Sequence, residues 1–298
     1  MAKRKARDAS RYVRVAQLAY DLSTAVLPRY WHKKSPQTFT VPQLAACVLL
    51  MFYLNKSYRD MEEWLLATDQ VRQVLELTEV PDHTTLYRTY RRLRIKHWDG
   101  LHRRLLDQAG VQESVIAVDT TGFRPTQASP YFEDRRGRPY RRFIKPGYAV
   151  GADRQFILAE RFGWGPGSDL PYLAPLRRHA QRYAARSPSG PPVWVLLADK
   201  GVDRAARHPA DVIPPCRRGR WQTRPAYRQR EELVAAARLD GVYGQRWKCE
   251  TVNSVIKRKF GDTIRSRQPA HQRRECAVKA LVYNLHVRPS VLSLQQSN

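Results

Sequence analysis

The hydrophobic positions change their period once along the chain. From residue 11 to residue 109 they recur at the three- and four-residue steps of a helix. Val15, Leu18, Ala19 and Leu22 predict a helix over 11–26, stopped by Pro28. Thr40 is an N-cap residue with Pro42 just inside the next helix, and an apolar run over 44–54 follows. Ser57 caps a third helix, 58–67. Asp82 caps HTTLYRTYRRLR, with Leu86, Tyr90 and Leu93 on one side and Arg88, Arg91, Arg92 and Arg94 around the other. A further helix is expected over 95–109. Short helices followed by a capped basic helix have the look of a helix-turn-helix; a bundle that only packs on its neighbour has the same pattern.

From Ser114 the apolar runs shorten. VIAVD (115–119) and VWVLLAD (193–199) are too short for typical helices and rich in β-branched residues, so they read as buried strands. Each ends on an aspartate, Asp119 or Asp199. The C-terminal end of such a strand is where open α/β sheets place their ligands. Residues 140–150 and 155–162 fit two antiparallel strands, 163–168 a turn, 169–186 a helix, 203–207 a short helix and 212–213 a last short strand. The stretches 123–138 and 187–192 read as loops.

The stretch YGQRWKCETVNSVIK (243–257) carries Tyr243, Arg246, Glu250 and Lys257 at gaps of three, four and seven. On a helix those gaps keep all four on one face, while Val252, Val255 and Ile256 on the other can dock against a core. A solvated face with ordinary ion pairs would have the same spacing. Two strand-end aspartates change that balance. With Glu250 they form a trio of carboxylates, an oxygen-only donor set suited to Mg²⁺ or Mn²⁺.

The chain has 298 residues, room for one large domain or two modest ones, and a net charge of +26 spread along its length. Such charge points to a polyanionic partner, most simply DNA; a ribosome-associated or membrane-surface protein would be equally basic. No apolar run reaches the roughly 18–20 residues of a membrane span. The basic start lacks the apolar core of a secretory signal. Cys47, Cys216, Cys249 and Cys276 lie far apart, as reduced thiols would, and the histidines have no paired metal spacing. The stretch 214–230 is dense in Arg, with Trp221 and Tyr227 interleaved. That suits phosphate contact and base stacking, or a surface loop whose Trp packs back on the core.

These features together resemble the DDE transposases of prokaryotic insertion sequences, in particular the group whose third acidic residue lies in Tyr-x2-Arg-x3-Glu-x6-Lys. The resemblance covers residues 115–285 well and 35–110 more loosely. It implies an α/β fold: an RNase H-like mixed sheet flanked by helices, preceded by an all-α DNA-binding region. The expected division is 1–112 helical, 113–290 catalytic and 291–298 tail. It implies Asp119, Asp199 and Glu250 as catalytic metal ligands for Mg²⁺, with Mn²⁺ substituting, and Tyr243, Arg246 and Lys257 as DNA contacts. Trp221, Arg88, Arg91 and Arg92 are further candidate DNA contacts. The expected activity is cleavage at the element's terminal inverted repeats and joining of the 3′-hydroxyls to target DNA by two-metal-ion phosphoryl transfer. The partners would be double-stranded DNA and further copies of the chain in a synaptic complex, with no membrane. The expected location is the cytoplasm, at the nucleoid. The rival readings are a catalytically silent DNA-binding descendant and a host nuclease of the same fold. Thr120 stands where many relatives have serine after the first aspartate.

Overall fold

A computed structural model describes residues 10–125, 135, 143–186, 193–206, 208–216 and 225–295, with side chains as far as Arg288. The basic start of the chain over 1–9, most of the stretch 123–138 expected as a loop and the stretch 187–192 lie outside the described residues. The chain forms two compact units, Met1–Ala109 with Ala277–Asn298, and Gly110–Cys276.

The first unit is helical: α1 (Arg11–Val26), α2 (Val41–Tyr53), α3 (Tyr58–Leu66), α4 (Asp69–Val74), α5 (His83–Arg92) and α6 (Ile95–Gln108). The capping residues act as their chemistry dictates. Thr40 Oγ1 accepts from the Gln43 N–H and the Gln43 side chain accepts from the Thr40 N–H, a reciprocal box. Ser57 and Asp60 form a second box, and Asp82 Oδ1 accepts from the Thr85 N–H at 2.7 Å. α2 is buried nearly all round and forms the centre of this unit.

The long C-terminal helix comes later in the chain, over Pro269–Gln295. Ala277, Leu281 and Leu285 are buried, and the stretch from Ala277 onward belongs to the helical unit. Arg11 Nη2 donates to the His286 carbonyl at 2.8 Å, and Asn284 pairs with His102 at 2.7 Å.

The second unit is built on a five-stranded sheet. Its strands are β1 (Val115–Thr120), β4 (Gly147–Gly151), β5 (Ile157–Arg161), β7 (Val195–Leu197) and β8 (Asp211–Val212), in the order β5-β4-β1-β7-β8. β1 runs antiparallel to β4 and parallel to β7, and β8 continues the parallel side. Short strand pairs lie outside it: β2 (Arg124–Pro125) with β9 (Thr263–Ile264), and β3 (Phe143–Ile144) with β6 (Trp164–Gly165). The helices of this unit are α7 (Leu170–Ala180), α8 (Pro225–Leu239) and α9 (Trp247–Phe260), with α10 (Pro269–Gln295) beginning in it. α7 packs on β4 and β5, and α9 on β1 and β4. A mixed sheet flanked by helices, with three antiparallel strands followed by two parallel ones, is an RNase H-like arrangement.

Two local expectations give way. The strand expected over 140–150 is broken at Lys145-Pro146, because proline has no N–H for a ladder. Lys145 instead donates its N–H to the Gly163 carbonyl, and the Pro146 carbonyl accepts from Thr121. The expected loop over 214–230 is helical from Pro225, and Tyr227 is buried within α8 rather than offered as a stacking platform.

One buried carboxylate braces the sheet. Glu113 is fully buried and accepts from the backbone N–H groups of Asp153 and Arg154 at 2.8 and 3.3 Å. Burial pushes its carboxyl up to about 7, despite those two donors. The folded chain thus holds a proton that the unfolded chain releases near 4.5. This contribution to stability is complete below the unfolded value and is lost as pH rises through about 7. Denaturant melts of the wild type and Glu113→Gln should diverge over that range, the wild type losing on the order of 2–3 kcal/mol relative to the variant. Parallel pH profiles would contradict it.

Candidate active site

The register of the parallel pair sets the site. Ala117 pairs with Leu197, and two residues further on stand Asp119, still in β1, and Asp199, just past the end of β7, at the same end of the parallel pair. Asp119 is half-buried; Asp199 is exposed and accepts from the Lys200 N–H at 2.8 Å, capping a short 3₁₀ turn over Lys200–Ala205.

The motif stretch lies along this edge. It begins as a 3₁₀ turn, Tyr243–Arg246, and continues as α9. Cys249, Val252, Ile256 and Phe260 are buried and dock the helix. Tyr243 Oη donates to the carbonyl of Ala198, beside Asp199, at 3.4 Å. Asn253 Nδ2 donates to Asp119 Oδ2 at 3.0 Å. Lys257 Nζ lies 5.9 Å from the ring centre of Phe123. The polar stripe thus runs from the end of β7 to just past the end of β1.

Glu250, about half exposed, is ion-paired with Arg246 at 2.7 Å. Burial pulls the Arg246 guanidinium down, but Glu250, Tyr243 and Asp199 outweigh it and the net shift is upward. The Asp119 carboxyl is raised, first by burial and then by the charges of Glu250 and Asp169; the Thr120 N–H and Arg246 act against this. Arg246 therefore sits in the field of all three carboxylates. The Tyr243 hydroxyl is raised by burial, with Asp199 adding to the effect.

By donor type the trio suits a hard divalent cation. Its side chains do not converge on one point: among the described residues no three His, Cys, Asp or Glu side chains are grouped to hold a metal ion.

Asp169 and Asn253 were not singled out from the linear pattern. Asp169, read only as the start of a helix, accepts from Thr120 Oγ1 at 2.9 Å and pairs with Lys145 at 2.5 Å. Asn253 lies on the motif face between Glu250 and Lys257, a spacing that could have singled it out. Asp203 is structural: it pairs with Arg230 at 2.5 Å and accepts from the Cys216 N–H. Of the remaining candidates, Arg88, Arg91 and Arg92 are exposed on α5 in the other unit, and Trp221 lies outside the described residues. Trp247, beside Arg246, is 54 % exposed and so is not part of the core.

The fold and this edge define a protein of the RNase H-like class with a carboxylate-lined strand edge. The family model described as the transposase DDE domain matches residues 110–285, and the chain belongs to that family. Members of the family act on DNA and generally use divalent metal ions. No curated protein and no solved structure gave a match. No described helix is long and apolar enough to cross a membrane.

The field at Asp119 is open to measurement. Its carboxyl should titrate above the ordinary aspartate range in carbon-detected NMR, and Asp169→Asn should move the midpoint down. An unmoved midpoint would place Asp169 outside its field.

Proposed function

We propose that this DDE transposase binds the terminal inverted repeats of an insertion sequence, cleaves at the element ends and joins the 3′-hydroxyls to target DNA. The observation that carries the reading is the placement of Asp119 near the end of β1 and of Asp199 two residues past the end of β7, the neighbouring parallel strand, beside the helix that bears Glu250. Asp119, Asp199 and Glu250 would hold divalent ions, Mg²⁺ with Mn²⁺ able to substitute. Such ions activate the attacking oxygen and neutralise the leaving one in an in-line displacement at phosphorus.

The chain's own groups bind and orient the DNA end. Arg246 offers a planar donor fork that matches a phosphate, and Lys257 a point charge. Tyr243, tied to the strand carrying Asp199, orients the start of the motif helix. Trp221 is a further candidate contact. In the helical region, taken as 1–112, Arg88, Arg91 and Arg92 on α5 are suited to phosphate contact, which positions the duplex without reading its sequence. The catalytic region is taken as 113–290, with 291–298 as a tail. Synapsis of two ends calls for more than one copy of the chain. The nucleoid is the corresponding location.

Two measurements test this. On a supercoiled plasmid carrying the element's ends, with Mg²⁺, the wild type should cut at the end boundary and Glu250→Gln should lose at least about 100-fold in rate, since the ligand charge is gone. Equal cutting by both would remove Glu250 from the site. Joining of a pre-cut end separates a transposase from a nuclease of the same fold, and end binding without any cutting by a folded chain would favour the silent descendant. Secondly, Arg91→Ala with Arg92→Ala should weaken duplex binding for all sequences alike and reduce the log–log salt slope by about 2. An unchanged slope would exclude α5 from the phosphate contacts.

A further inference from the structure

The motif face of α9 carries one polar residue that the four-residue pattern leaves out. Asn253 stands three positions after Glu250 and four before Lys257, so it continues the same stripe. It differs from its neighbours in depth: Asn253 is 6 % exposed, whereas the Glu250 side chain is 52 % exposed. Its Nδ2 reaches Asp119 Oδ2 at 3.0 Å across the helix–strand contact. An ionised carboxylate only accepts hydrogen bonds, so the amide nitrogen is the atom that must face it.

The other end of the same amide, Oδ1, is buried with no hydrogen-bond partner. Leaving a buried acceptor unmet costs about 1–3 kcal/mol, a cost that leucine, of nearly the same branching, would avoid. Packing alone therefore disfavours asparagine here, and the bond to Asp119 is what the residue supplies.

We propose that Asn253 is a positioning residue for Asp119, fixing the orientation of that carboxylate from the same helix that carries Glu250. One rigid element would then govern two members of the trio: a shift of α9 that moves Glu250 also loosens Asp119. This rests on the reading of Asp119 as a metal ligand.

The test uses the full chain without DNA and reads metal binding rather than turnover. Wild type, Asn253→Leu, Asn253→Ala and Asp119→Asn are compared for Mn²⁺ affinity by electron paramagnetic resonance, each after a cooperative melt has shown it folded. A folded Asn253 variant should bind Mn²⁺ about 10- to 100-fold more weakly than the wild type. Its metal-free binding to a DNA duplex should change far less than its Mn²⁺ affinity, because the amide is buried.

The wild type gives a reading that needs no variant. The chain has only four asparagines, Asn55, Asn253, Asn284 and Asn298, so ¹⁵N-asparagine labelling yields four side-chain amide pairs. Mn²⁺ at one equivalent should broaden the Asn253 pair; a pair that stays sharp overturns the proposal. Wild-type Mn²⁺ affinity in a folded Asn253 variant also overturns it, and if Asp119→Asn has meanwhile lost binding, the failure belongs to Asn253 alone. If Asp119→Asn binds Mn²⁺ like the wild type, the ligand reading of Asp119 falls, and this inference with it.

Discussion

The parallel pairing of β1 with β7 is the constraint on which the site depends. Three register pairs, Val115 with Val195, Ile116 with Leu196 and Ala117 with Leu197, bring two aspartates from distant parts of the chain to one sheet edge. A slip of one residue would turn every side chain of the strand to the opposite face. The buried apolar runs over 115–118 and 196–198 end where the carboxylates begin, so the extent of the core along each strand also determines where Asp119 and Asp199 stand. Glu113, just before β1, steadies the 152–154 turn that follows β4.

The second determinant is electrostatic. Carboxylates gathered at a half-buried edge disfavour one another's charge, and burial adds to that cost. The chain answers with neighbours rather than with exposure. Arg246 pairs with Glu250 and lies within the field of Asp119 and Asp199, and Asn253 and the Thr120 N–H donate to Asp119. Asp169, close enough to oppose ionisation of Asp119, is itself held by Lys145 and Thr120. This arrangement is compatible with a cation-binding edge whose charge is provisionally balanced by a guanidinium.

Much of this was legible in the linear pattern wherever the deciding interactions are local. Thr40, Ser57 and Asp82 cap helices because a short side-chain oxygen reaches the N–H three residues on, a rule confined to four residues. Strands ending near Asp119 and Asp199 follow from the short apolar runs, and a helix through Glu250 and Lys257 follows from the period, although that helix begins only at Trp247, after a 3₁₀ turn over Tyr243–Arg246. Other features depend on partners far along the chain. The Asn253–Asp119 bond spans 134 positions and the Thr120–Asp169 bond 49, and no local pattern encodes either. The helix from Pro225 was hidden by an Arg-dense stretch whose polarity reads as loop, although Tyr227, Val234 and Ala237 form its buried side. The break at Lys145-Pro146 was visible in principle, since proline cannot donate to a ladder, but it took the neighbouring Gly163 carbonyl to make the break favourable.

The central claim is that the edge formed by Asp119, Asp199 and the Glu250 helix binds divalent metal. The most direct measurement replaces Mg²⁺ with Fe²⁺ in the full-length chain, adds ascorbate and peroxide, and maps where locally generated radicals cut the backbone. The account predicts three clusters of cuts, around residues 119, 199 and 250, all suppressed by excess Mg²⁺. Cuts confined to other segments, or a pattern indifferent to Mg²⁺, would contradict it.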